Sequence, residues 1–304
     1  MTQFAALFKR DTKLFFKDKG LFFTSLITPL ILLVLYTVFL KKVYTDSFLM
    51  VIEQIPGLVL EDSLIEGLVG GQLLSALLSV CCVTVAFCSN LLMVQDKSSG
   101  IYKDLTVAPV KTGTLSLAYY LACAFSTFVV CIVALAAGLI YLYFTGWYMT
   151  FADVLIMVAD VALMVLFGTS LSSVVICRLT TQGQASAVGS IVSSVYGFIC
   201  GAYMPISSFP EGLQKVLGFL PGTYGTCLLR NHCLEGAFRE IEKNQTVPEE
   251  VITELVTGLR DMVDANLYVL DTRVEIPVMY GVIGGASVVF VLGYILLCRF
   301  QKKK

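Results

Sequence analysis

Few side chains in this chain of 304 residues could do chemistry, and they are scattered. The single histidine, His232, cannot build a metal or nucleophilic site alone. The ten cysteines lack the CxxC spacing of a metal centre. Cys81, Cys82, Cys88, Cys123, Cys131, Cys177 and Cys298 fall in or at the ends of apolar runs, with Cys200 beside a fifth. There a thiol behaves as a small hydrophobe. Cys227 and Cys233 lie outside those runs and form either a disulfide or, more simply, two free thiols. No GxxxxGK[ST] phosphate loop is present, and neither is HExxH or GxSxG. Asp160 is the acid set deepest in an apolar run, and an acid inside a membrane is a functional candidate by default. Yet Val161–Cys177 is 17 residues, long enough to span by itself. We therefore place Asp160 at the outer interface, with Asp153 above it, and keep it as a candidate residue of a substrate path or of packing.

The elements that must position these residues are helices in a membrane. The chain is 57% hydrophobic and only 14% charged, against roughly a quarter charged in soluble domains. Its net charge of −1 gives no reason to expect nucleic acid. Six apolar runs suffice to cross a bilayer: 21–40, 70–94, 115–144, 152–177, 186–204 and 276–298. The first has a charged flank and no small-residue cleavage site, so it stays as an anchor. Lys9, Arg10, Lys13, Lys17 and Lys19 precede it; Lys97, Lys103 and Lys111 follow the second run; Arg178 follows the fourth; Arg299 and Lys302–Lys304 close the chain. This bias puts both termini and the 95–114 loop on the cytoplasmic side of the plasma membrane. The spans lack the regular polar stripe of an ion channel or proton-coupled pump. A membrane-embedded enzyme would need a catalytic pair that the sequence does not offer.

Two segments between the ends are not spans. Phe4, Leu7, Phe8, Leu14, Phe15, Leu21 and Phe22 share one helical face, and Lys9, Arg10, Lys13 and Lys17 the other. That pattern predicts a helix over 2–19 lying in the interface, against lipid. Asp11 and Asp18 interrupt its apolar face and need a partner, either the protein's own polar loops or a second protein. The segment 205–275 opens with "MPISSFPEGLQKVLGFLPGTYGTCLLRN", broken by Pro205, Pro210 and Pro221, which predicts a re-entrant or interfacial helical hairpin packed on protein. Thr246, Pro248, Glu249 and Glu250 then predict a helix start. Its stripe of Ile252, Leu255, Leu259 and Met262 should pack on the same chain.

Between the second and third spans the chain turns polar, as "QDKSSGIYKDLTVAPVKTGT" from Gln95 to Thr114. Gly100 allows a sharp turn. Ile101, Leu105 and Val107 offer apolar anchors, and Lys103 and Asp104 a polar rim, as an interface needs. Pro109 ends the short helix and Lys111 marks re-entry.

This order of parts resembles the permease subunits of ATP-binding-cassette exporters of the second type, a family that exports drugs, antibiotics and polysaccharides. The resemblance rests on helix 2–19, on "QDKSSGIYKDLTVAPV", on "RLTTQGQASA" in the second cytoplasmic loop, and on "GAYMPISSFPEGLQKVLGFLPGTYGTCLLR". It covers nearly the whole chain, as one permease domain over 1–304. Asp96 stands where the family usually has glutamate, and the stretch 235–272 is longer than in minimal members. The resemblance implies an all-α integral membrane protein of six transmembrane helices, with an N-terminal interfacial helix, a cytoplasmic coupling helix and an outer re-entrant helical hairpin. Asp96, Gly100, Ile101, Lys103, Leu105 and Pro109 would couple to a separate ATPase subunit, which would hold ATP and Mg; this chain would hold no cofactor. "VGGQL" at 69–73 looks like an ATPase signature but opens an apolar span, so it is read as chance. The implied function is ATP-driven export of a drug-like, peptide or lipid-linked substrate, with an ATP-independent secondary transporter or channel as the alternative. Gly189, Ser193, Gly197 and Gly201 recur every four residues, which suits close helix contact either with a second permease copy or paralogue or within one subunit.

Overall fold

A computed structural model describes residues 3–244, 246–270 and 272–301. Thr2 of the predicted first helix and the basic Lys302–Lys304 lie outside the described residues. The fold is helical because an apolar segment in lipid can satisfy its backbone only within itself. In chain order the helices are α1 (Gln3–Lys17), α2 (Lys19–Leu35), α3 (Lys41–Ile52), α4 (Asp62–Ser89), α5 (Leu91–Ser98), α6 (Ile101–Val107), α7 (Thr112–Thr145), α8 (Phe151–Ile176), α9 (Gln182–Ile199), α10 (Glu211–Gly218), α11 (Pro221–Glu242), α12 (Glu249–Met262) and α13 (Ile276–Gln301). A π-helical turn, Tyr36–Leu40, joins α2 to α3 without a break, and β1 (Tyr268–Val269) pairs antiparallel with β2 (Thr272–Arg273).

Among the described residues, five helical stretches are long and apolar enough to cross a membrane: Lys19–Ile52, Asp62–Ser98, Thr112–Thr145, Phe151–Ile176 and Ile276–Phe300. They contain four of the six predicted spans with wider bounds, and match 152–177 to within one residue at each end. The first runs past Lys41 and Lys42 because the π-turn lets the helix continue. The predicted span 186–204 is represented by α9, whose 18 residues begin with Gln182 and Gln184 and carry many serines and glycines. It is therefore less apolar than the others, though its length of about 27 Å approaches the bilayer core of about 30 Å.

The centre of the bundle is α4, buried along almost its whole length from Leu64 to Ser89. Helices α7, α8, α11 and α2 pack around it, and α13 packs on α8 and α11. At the end where α4 begins, main chains touch. A Cβ on Gly146 would lie 2.1 Å from the Ser63 carbonyl oxygen, and one on Gly236 2.4 Å from that of Tyr148. Only glycine fits there, so the start of α4, the α7–α8 connection and α11 form one joint. At the opposite end, Leu7 of α1, Met93 of α5, Leu115 and Tyr119 of α7, and Tyr294 and Cys298 of α13 form a separate cluster. Both ends of the described chain thus meet beside α6. All ten cysteines are free, so Cys227 and Cys233 are two buried thiols.

The segment after α9 folds back on the bundle. Pro205 precedes a short 3-10 turn, Pro210 caps α10, and Pro221 opens α11 at a position where its missing N–H costs nothing. α10 and α11 make a hairpin, but α11 continues beyond the predicted end at Asn231, to Glu242, against α4, α8 and α13. α12 starts at Glu249 with Pro248 as cap; Thr246 does not cap it, because its hydroxyl donates instead to Asn244 Oδ1 at 2.6 Å. Ile252, Leu255 and Leu259 are buried and Met262 is half-buried, with α12 lying on α11.

Candidate functional site

The stretch from Gln95 to Thr114 becomes a helix end, a turn, a short helix and a second turn. Gly100 takes φ 86°, a left-handed conformation that costs other residues roughly 1 kcal/mol or more. It sends the chain sideways into α6. Ala108, ahead of Pro109, is extended at φ −58° and ψ 152°, as a residue before proline must be. Val107 is 87% exposed and Ile101 41% exposed, with Lys103, Asp104 and Pro109 exposed beside them. Leu105 points the other way. With Tyr102 it packs on the cluster of Leu7, Met93, Leu115 and Tyr119. The outward apolar atoms are those of Ile101 and Val107, so the predicted shared face of Ile101, Leu105 and Val107 is divided between solvent and the chain's own core.

Asp96 lies beneath this surface, 3% exposed. Arg10 of α1 donates to both its oxygens, Nη1 to Oδ2 at 2.8 Å and Nη2 to Oδ1 at 3.0 Å, and Tyr119 of α7 donates to Oδ2 at 2.5 Å. A forked guanidinium on a carboxylate is a strong, oriented pair. It fastens α1 to α5 and α7. Gln3 Nε2 also donates to the Pro109 carbonyl at 3.2 Å. Lys97 reaches the carbonyls of Cys177 and, at 3.4 Å, Leu179, and sits 5.5 Å from the Tyr102 ring centre. The segment is thereby held from one side by α1 and from the other by the turn before α9.

Asp11, which interrupts the predicted lipid face of α1, finds its partner inside the protein. It is 1% exposed and accepts from Arg10 at 2.7 Å, while its Oδ2 has no partner. A cavity of 10 Å³, about one water in size, lies against it, lined also by Ser89, Asn90 and Ser126. Burial pushes the Asp11 carboxyl up to about 6, against the opposing pull of Arg10. Asp18 caps α2 by accepting from the Leu21 N–H at 3.1 Å, and takes a long bond of 3.5 Å from Gln95.

Asp160, which the sequence places at the outer interface, is covered by protein there rather than open to water. It is fully buried, with His232 Nδ1 at 2.5 Å and the Tyr280 hydroxyl donating at 2.5 Å. The reason is α11: this helix carries His232 alongside α8 and supplies the polar partner that lipid could not. Asp153 is the residue at the end of α8. It forms a capping box with Thr150 and an ion pair with Arg239 at 2.9 Å. Arg230 of α11 was not singled out by the sequence. It is fully buried, donates to the Gly201 carbonyl and lies 3.7 Å from Asp264 Oδ2, which also accepts from the Ile206 N–H. These pairs fix α8, α11 and α13 to one another and hold the end of α9. Gly197 and Gly201 pack within the chain, against Tyr203 and Ile206, whereas Gly189 faces open space. Among the described residues no His, Cys, Asp or Glu group could hold a metal ion.

The sequence profile of the ABC-2 type transporter family matches residues 2–232, which run from the start of α1 into the middle of α11. No curated protein matches the chain.

Proposed function

Since the chain belongs to the ABC-2 type transporter family, an integral membrane component that is not itself catalytic, we propose that it is the permease subunit of an ATP-driven exporter. A separate ATPase subunit binds ATP and Mg, and α6 is the coupling helix that docks on it. The observation that carries this reading is the division of α6. Leu105 and Tyr102 anchor it to the bundle, while Val107 stands almost fully exposed and Ile101 partly so. An interface anchor needs that combination of rigid seating and exposed apolar surface. Asp96 serves from beneath, through Arg10 and Tyr119, by making α1, α5 and α7 move as one body. Closure of the ATPase pair on ATP then displaces α6 and shifts the bundle between inward and outward states.

Both termini and α6 are cytoplasmic in this reading, and α9 is the sixth crossing. A second copy or paralogue covers α9, whose Ser186 and Ser190 are exposed and would sit poorly against lipid. The substrate is a drug-like, peptide or lipid-linked amphiphile moved outward. The test is co-purification with the ATPase, followed by substrate-stimulated hydrolysis. Wild type retains the ATPase and hydrolyses ATP only with it. Hydrolysis by the purified chain alone would overturn the reading.

A further inference from the structure

α8 and α13 run side by side in one register. The Tyr280 hydroxyl meets Asp160, the Phe290 ring centre lies 6.1 Å from that of Phe167, and a Cβ on Gly293 would reach Val174 Cγ2 at 4.0 Å. Continued to the α6 end, that register sets Cys298 of α13 against Cys177, the residue that closes α8. Both are buried, and their thiols hydrogen-bond to each other. The hydroxyls of Ser116 of α7 and of Tyr294, one turn back on α13, also hydrogen-bond to Cys298 Sγ. Lys97 Nζ, which donates to the Cys177 carbonyl, brings a positive charge to both sulfurs. Among the described residues no carboxylate forms an ion pair with Lys97. The residues that follow the two cysteines, Arg178 and Arg299, are exposed. A second thiol pair supplies the contrast. Cys82 of α4 and Cys131 of α7 also hydrogen-bond, but they lie in the middle of the bundle with Cys81 beside them in place of a cation. Thiols in such apolar surroundings are inert.

We propose that Cys177 and Cys298 form a redox site that hydroperoxides oxidise to a disulfide. Hydrogen-bond donors and a nearby cation are what a reacting thiolate needs, and Cys298 has both. Its sulfur attacks one oxygen of the peroxide and breaks the O–O bond. Cys298 becomes a sulfenic acid, and the departing hydroxide takes the thiol proton and leaves as water. Cys177 Sγ then attacks the Cys298 sulfur. The S–S bond forms, the S–O bond breaks, and the second hydroxide leaves as water with the Cys177 proton. Two thiols and one peroxide thus give one disulfide and two waters. A disulfide holds its sulfurs at about 2.05 Å, so thiols already in contact need only a small approach. Tyr102 of α6 packs on the same cluster, so the bond ties α8 to α13 directly beneath α6. The chemistry requires neither an ATPase partner nor transport, so it stands or falls apart from the function proposed above.

The test uses the full chain in lipid nanodiscs, reduced, freed of reductant and treated with hydrogen peroxide. Peptide mapping by mass spectrometry without reduction follows each cysteine over time. The Cys177–Cys298 crosslink appears first, and dithiothreitol reverses it. Lys97→Gln slows its formation about tenfold, because the thiolate is the nucleophile and loses its cation. In Cys177→Ser the sulfenic acid has no resolving thiol, so dimedone labels Cys298; in Cys298→Ser dimedone leaves Cys177 unlabelled. The wild-type map needs no variant, so a misfolded variant cannot imitate the result. Cys177 and Cys298 remaining reduced, Cys82 joining Cys131 as fast, or a rate that Lys97→Gln leaves unchanged would overturn the proposal. Dimedone on Cys177 in Cys298→Ser, with none on Cys298 in Cys177→Ser, would overturn the role given to Cys298.

Discussion

Arg10, Asp11 and Asp96 hold one cation between two acids under a helix that the sequence assigns to the membrane surface. Removing the cation leaves two buried carboxylates. Arg10→Ala should therefore cost about 3–5 kcal/mol, the usual penalty for orphaning a buried charge. Thermal unfolding in detergent should show it, together with earlier proteolysis within α1. Tyr119→Phe, which removes one hydrogen bond to a charged group, should cost about half as much. Asp11 makes the same region pH-sensitive. Its folded pKa of about 6 lies above the usual 3.8, because burial disfavours the charged form. The associated stability is fully present below 3.8 and is lost as pH rises through about 6. Its size is on the order of 2–3 kcal/mol. Protection factors of α1 amides should rise as pH falls across that window, with Arg10, Asp96 and Tyr119 as the neighbouring groups. Asp11→Asn should flatten the rise; an equal slope in the variant would assign it to another group. The pairings to Asp96 were not legible in the sequence, since Arg10 is 86 positions from it and Tyr119 23. What could be read was only that Asp11 sat where lipid would not accept it.

At the scale of elements, local signals succeeded where the chemistry is local. Gly100, Pro109, Pro210 and Pro221 mark turns and helix starts because each restricts its own φ or that of its neighbour. The inward and outward faces of α6 could not be read the same way. Seven residues make about two turns, too few for a period, and tertiary contact alone turns Leu105 inward. The consequence for docking is specific. Val107→Asp should abolish ATPase co-purification while leaving the melting temperature unchanged, because Val107 touches little of its own chain. Ile101→Ala should weaken it by about 2 kcal/mol, the scale of an interface anchor. Leu105→Ala should lower the melting temperature instead, by loosening the seat. The opposite pattern, with Leu105→Ala affecting only the ATPase, would reverse the assigned faces. α12 was legible in its stripe but not in its cap, since Thr246 is drawn away by Asn244.

For the whole molecule, hydropathy reveals the class of protein and most of its long helices, because the bilayer imposes a length and a composition. It hides α11. That helix is buried by protein yet carries Arg230, His232, Glu235 and Arg239, so it does not look like a span. Its charges make sense only once Asp160, Asp153 and Asp264 are beside them. The orientation is open to a direct check. In a cysteine-free background, cysteines placed at Glu250 and Lys103, both exposed, should label from outside and inside respectively. Reversed accessibility would invert the topology. The glycine joint at the start of α4 also has a mechanical meaning. At Gly146 and Gly236 the α7–α8 connection lies against the backbones of α4 and α11 with no side chain between them. Take this joint as a fulcrum for the bundle. Displacement must then grow with distance along each helix, so a tilt of about 5° becomes about 3 Å after about 30 Å of lever arm. The largest stroke belongs to the far end of the bundle, which is where α6 is mounted.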